Sequence, residues 1–123
     1  MNKLVVVLGA MMCATSAQAV NLGIGNQQCS EVIEAAQQNK AVGAAAIGCV
    51  QGYITHSTNT IKPEIRALYR TPEPDELVAF IADYCRKYPK DPFAGAALTL
   101  DAKMNNDALE RLDAIADQAA KRK

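Results

Sequence analysis

Four cysteines and a single histidine hold most of the reactive chemistry this chain has to offer. Cys13 lies near the start, Cys29, Cys49 and Cys85 follow, and His56 stands between Thr55 and Ser57. A thiolate nucleophile needs a base within reach. Cys49 and His56 lie two helical turns apart, about 10 Å along a helix axis. No Cys-x-x-Cys occurs, and one histidine does not readily assemble a zinc set. His56 could titrate as a pH sensor, but its place at a helix end reads first as plain exposure. Asp75 and Glu76 read as helix-start charges rather than an acid–base pair. These residues give no reason to expect an enzyme, a metal or another cofactor. Pairing is the chemistry left to the cysteines.

The leader bears on that pairing. Met1-Asn2-Lys3 precedes an apolar core, Leu4-Val5-Val6-Val7-Leu8. Ala17-Gln18-Ala19 fits the small-x-small cleavage rule of an export signal. The apolar stretch is too short for a comfortable membrane span. Met12 before Cys13 is not the small residue of a lipoprotein signal. We therefore expect residues 1–19 to be a signal peptide cleaved after Ala19. An exported chain meets an oxidising compartment. Cys29, Cys49 and Cys85 would then allow one disulfide and one leftover thiol.

Charge narrows the partners. The chain balances 13 Lys+Arg against 13 Asp+Glu. Losing Lys3 with the leader leaves one excess acid. Neither nucleic acid nor an anionic membrane is an expected partner, and no stable membrane insertion is expected. In strong acid the carboxylates would be protonated and the charge would swing to about +14.

The elements that position these residues read as helices. Val20 to Gln28 reads as a flexible start, and Gly23-Ile24-Gly25 is a weak phosphate-loop signal. Cys29, Val32, Ile33 and Ala36 recur at helical spacing, giving a helix over about 30–39. Val42, Ala46, Cys49, Val50, Tyr53 and Ile54 give a second over about 41–57. Ile65, Leu68 and Tyr69 suggest a turn of helix, stopped at Thr71-Pro72-Glu73-Pro74. A third main helix starts at Pro74, with Glu73, Asp75 and Glu76 at its positive end. Its apolar face is Leu77, Val78, Phe80, Ile81, Tyr84, Cys85 and Tyr88, and Pro89 ends it. Asp91-Pro92 reads as an N-cap and first position of another helix. Phe93, Ala96, Ala97 and Leu100 are its buried stripe. Asn105-Asn106 would break or bend it. Leu109, Leu112, Ile115, Ala116 and Ala119 then make a solvated amphipathic tail with i, i+4 pairs Asp107–Arg111 and Asp117–Lys121. The class is all-α: one small domain of four to five short helices. Residues 29–104 form the body and residues 105–123 the C-terminal helical tail.

One stretch asks for a reason. In Gly48-Cys49-Val50-Gln51-Gly52-Tyr53 two glycines interrupt a helix, each costing about 1 kcal/mol against alanine. The expectation is architectural: Gly48 and Gly52 admit a neighbouring backbone, with Tyr53 packed beside the gap and Cys49 a small buried apolar residue.

With Cys29 opening the first helix, Cys49-Val50-Gln51-Gly52-Tyr53 in the second and Tyr84-Cys85-Arg86-Lys87-Tyr88-Pro89 ending a later one, the chain resembles the HdeA/HdeB group of periplasmic acid-stress chaperones. The resemblance covers about residues 27–102. It implies a small helical fold in which Cys29 bonds Cys85, stapling the domain with one disulfide. Cys49, at a place often aromatic in relatives, would stay reduced and buried. It also implies a periplasmic location and ATP-independent holding of unfolded proteins at low pH. Relatives are homodimers near neutrality that acid loosens. The tail after about Ala102 departs from the pattern. A weaker resemblance, through Cys49 to Ile54, is to Tai/Rap-type immunity proteins, which bind and neutralise type VI secretion effectors. That pattern fits with one extra residue and without the family's usual final cysteine.

Overall fold

The computed structural model describes residues 23–123, so the expected signal peptide lies outside the described residues. The protein is all-α, with five helices and no strand among the described residues. A 3-10 turn, Gly23–Asn26, leads into α1 (Cys29–Gln38), α2 (Lys40–Asn59), the short α3 (Pro63–Arg66), α4 (Pro74–Lys87) and the long α5 (Ala94–Lys121).

Local chemistry sets the boundaries. α1 opens on a capping box. The Glu31 carboxylate accepts the Gln28 N–H at 3.3 Å, and the Gln28 side chain accepts in return. Asn39 ends α1 in extended conformation and caps α2. Its Oδ1 accepts the Ala41 N–H at 2.9 Å. One residue thus folds α1 back onto α2. α4 repeats the capping box with Glu73 and Glu76. Pro74 fills a first-turn position whose N–H has no partner in any helix. Asp91 does not play the expected part. α5 begins at Ala94, after a turn in which Gly95 and Ala96 donate to the Pro92 and Phe93 carbonyls. The reason is competition: the Asp91 and Pro92 backbone is already paired with residues 28 and 29.

The core lies where α1, α2, α4 and α5 meet. Phe93, Val32, Val50, Cys29 and Cys49 are its largest fully buried side chains, with Leu77, Ile81, Leu100 and Met104 around them. Fully burying a side chain such as Val32 or Phe93 contributes about 1.5–3 kcal/mol. α1 packs chiefly on α2, and α5 lies across α2 and α4. Among the described residues no buried polar or charged one interrupts this core.

Two expectations about chain ends change. Residues 23–28 are not a loose lead. Gly25 is buried, Ile24 packs on the core, and the Gln27 carbonyl accepts the Phe93 N–H at 2.8 Å. Nor do Asn105 and Asn106 break the last helix, which runs unbroken for 28 residues. At 1.5 Å of rise per residue that is about 42 Å. The last buried residue is Ala108 rather than one at 104, and everything from Leu109 on is exposed.

Candidate functional site

The expected site residues fall into two groups. Cys29 and Cys85 form a disulfide with Cα atoms 5.1 Å apart. It joins the first residue of α1 to the last turn of α4. Pro89 belongs to the same joint, its carbonyl accepting the Ser30 N–H at 2.9 Å. The Cys29 N–H donates to the Asp91 carbonyl at 2.9 Å, and Gln28 bridges Pro92.

Tyr84 covers the start of α5. Its ring lies 5.0 Å from that of Tyr88, tilted by 44°. Burial pushes its hydroxyl pKa up, as does neighbouring Asp91, while Thr99 draws it back down. Any Cβ on Gly95 would collide with the Tyr84 hydroxyl. Gly95 therefore admits a close neighbour, although within Ala94-Gly95-Ala96-Ala97 it reads as one more small residue. A lone glycine in an alanine run beside an aromatic-rich helix was the available signal.

The Gly48–Tyr53 stretch turns out otherwise. Gly48 is exposed, and a Cβ there meets nothing within 4 Å, so no backbone approach explains it. We find no physical account for this glycine. Gly52 and Tyr53 are half-buried. Burial, with Asp101 nearby, raises the Tyr53 pKa. Ser57 Oγ donates to Asp101 at 2.8 Å, tying α2 to α5. Cys49 is buried, as expected. His56 is exposed in the last turn of α2. Among the described residues no three His, Cys, Asp or Glu side chains converge as metal ligands.

The surface features are of another kind. α5 exposes a row of apolar side chains: Leu98, Leu109, Leu112 and Ile115 are 51%, 59%, 45% and 52% accessible. Val78 and Ile65 are similarly exposed elsewhere. Two open clefts, of about 250 and 300 Å³, flank residues 70–72. Arg70, Lys103 and Arg111 rim the first alongside Glu76 and Asp107. These charges are largely matched, with Arg70–Glu76 at 2.8 Å and Lys103–Asp107 at 2.7 Å. Asp107 thus pairs a turn back with Lys103 rather than with Arg111, which donates to the Leu68 carbonyl instead. No described helix is long and apolar enough to cross a membrane. No family model, curated protein or solved structure matches the chain.

Proposed function

We propose that this protein is a periplasmic, ATP-independent acid-stress chaperone that holds unfolded proteins at low pH. The observation that carries this reading is the exposed row Leu98, Leu109, Leu112 and Ile115 on α5. Apolar side chains aligned on one helix face mark an interaction surface. The tail that carries three of them touches little of the body and is already available. The disulfide suits an oxidising compartment such as the periplasm. Acid supplies a trigger. Protonation of the 13 Asp+Glu side chains leaves the Lys and Arg charges unopposed. Positive repulsion then works against the compact state.

The test is light scattering from a client that unfolds at about pH 2.5, with and without the mature protein. Suppression at near-stoichiometric amounts is expected. Aggregation that proceeds unchanged while the protein stays soluble sinks the reading.

A second reading, a periplasmic immunity protein that neutralises one type VI secretion effector, draws on the unbroken helix of the same tail. One continuous helix with an apolar face suits a single matching partner. That reading expects tight binding of one protein at neutral pH, measured by calorimetry, and no suppression in acid.

A further inference from the structure

The two clefts share a wall. Pro72 and Leu100 line both, so little more than residues 70–72 divides one from the other. The floors are apolar: Phe80, Leu100 and Met104 on one side, Ile54, Leu77 and Leu100 on the other. The divider is lightly held. From Thr55 to Glu76 no residue is buried. α3, which leads into it, takes no part in the main helix packings. The backbone N–H groups of Leu68 and Tyr69 reach only Ile65 and Arg66, on the same segment.

Tyr69 is half-buried and rests against the edge of the core, and three side-chain latches hold the divider from outside. Arg111 Nη1 donates to the Leu68 carbonyl at 2.6 Å. The Tyr69 hydroxyl donates to Asn105 Oδ1. Arg70 pairs with Glu76 at 2.8 Å. All three are exposed, where hydrogen bonds and ion pairs are individually weak.

Both ends of the segment are pinned without these latches. On one side Arg66 Nη2 donates to the Asn59 and Ile61 carbonyls, fixing α3 to the end of α2. On the other, Glu76 Oε2 accepts the Glu73 N–H at 3.0 Å, so the start of α4 is capped whether or not Arg70 stays on the other oxygen. We propose that residues 67–73 form a hinged strap that swings off the body while the main helices stay folded. Its opening joins the two clefts into one apolar trough floored by Ile54, Leu77, Phe80, Leu100 and Met104. Local openings of this kind draw on segments with few buried contacts. The motion stands without the chaperone reading. Its use, as added apolar surface for a client, rests on that reading.

Native-state proteolysis tests it. Thermolysin, which cuts before bulky apolar residues, is applied to the oxidised protein in urea below the unfolding transition, and cleavage between Ala67 and Leu68 is followed by mass spectrometry. A strap gives cleavage there with a much weaker urea dependence than global unfolding. Arg111→Ala speeds it several-fold at an unchanged unfolding midpoint, and Tyr69→Phe does so more mildly. The proposal is overturned if cleavage shows the full urea dependence of global unfolding, or if neither variant speeds it. Local cleavage in a protein that fails the light-scattering assay removes the chaperone reading and leaves the strap standing.

Discussion

The two ends of the helix cluster are held by different means. Around Cys29–Cys85 the chain is fixed by a covalent bond and by main-chain pairing. Cys29 and Ser30 donate to the Asp91 and Pro89 carbonyls, and Phe93 donates to Gln27. Around Pro72 the chain is held by the exposed side chains of Arg111 and Arg70 and by half-buried Tyr69, which rests on the edge of the core. Main-chain bonds survive most substitutions and cost no side-chain freedom. Surface side-chain bonds do cost that freedom and are screened by salt. The difference suggests a division of labour, with one end keeping the fold and the other free to move. Predictions that set the ends against each other should therefore grade in size.

The largest effect belongs to the disulfide. Its two cysteines are separated by 56 residues of sequence. On the chain-entropy account, closing such a loop restricts the unfolded chain by about 4 kcal/mol. Cys85→Ser, or reduction, should lower stability by about that amount in urea unfolding. An unchanged midpoint would mean that main-chain pairing alone secures this end. For a domain whose whole stability is about 5–15 kcal/mol, the expected loss is a large fraction.

Next comes the Tyr84–Gly95 contact, on the same side. Gly95→Ala drives a methyl into the Tyr84 hydroxyl. Overpacking costs about 1–3 kcal/mol, and alanine's better helix propensity returns about 1 kcal/mol. The net expectation is a loss of about 1 kcal/mol. The pair should be coupled, with Tyr84→Phe making the added methyl less harmful. Additive losses in the double-mutant cycle would show that the ring moves aside freely.

Much of the helix framework is legible in the sequence because its determinants are local. Pro74 with its acidic first turn, Pro89 as a stop and the apolar stripe of α4 each act within a few residues. The Cys29–Cys85 pairing follows from the resemblance and not from local chemistry. What the sequence concealed were tertiary choices. Asp91 looks like an N-cap, yet its backbone is engaged by Cys29, from the far end of the described chain. Asn105-Asn106 looks like a break, yet Asn105 continues the helix and accepts from Tyr69, which nothing local signals. In the sequence the strap reads only as a stopped turn of helix, because the Arg111 and Tyr69 latches join residues far apart in the chain. Gly48 misled in the other direction, since a glycine in a helix suggests a close neighbour and none is there.

Acid should act on both ends through three carboxylates. The Glu73 N–H, then Arg70, holds Glu76 below the ordinary range. Lys87, then Arg86, does so for Asp83, and Lys103, then Arg111, for Asp107. A carboxylate lowered in the folded state stabilises it above the ordinary carboxylate pKa, and that stability drains as pH falls through the lowered value. Unfolding midpoints should therefore fall as pH drops below the ordinary carboxylate range, at about 4. Asp83→Asn and Glu76→Gln should each flatten the decline slightly, since all three groups are well exposed and screened. A flat profile across that range would remove these ion pairs as the acid trigger.

The smallest effect on stability is the most informative about function. Leu109→Gln and Leu112→Gln alter side chains that are 59% and 45% accessible, so little apolar contact is lost with the body. Surface changes of this kind stay within about 0.5 kcal/mol. If α5 holds unfolded chains through this row, the double variant should keep its urea midpoint and lose much of its suppression of light scattering in acid. If suppression survives intact, the working surface must be generated elsewhere, and the trough beneath residues 67–73 becomes the first place to look. Arg111→Ala then separates the possibilities: it should increase suppression if the opened trough does the holding, and leave it unchanged if the tail does.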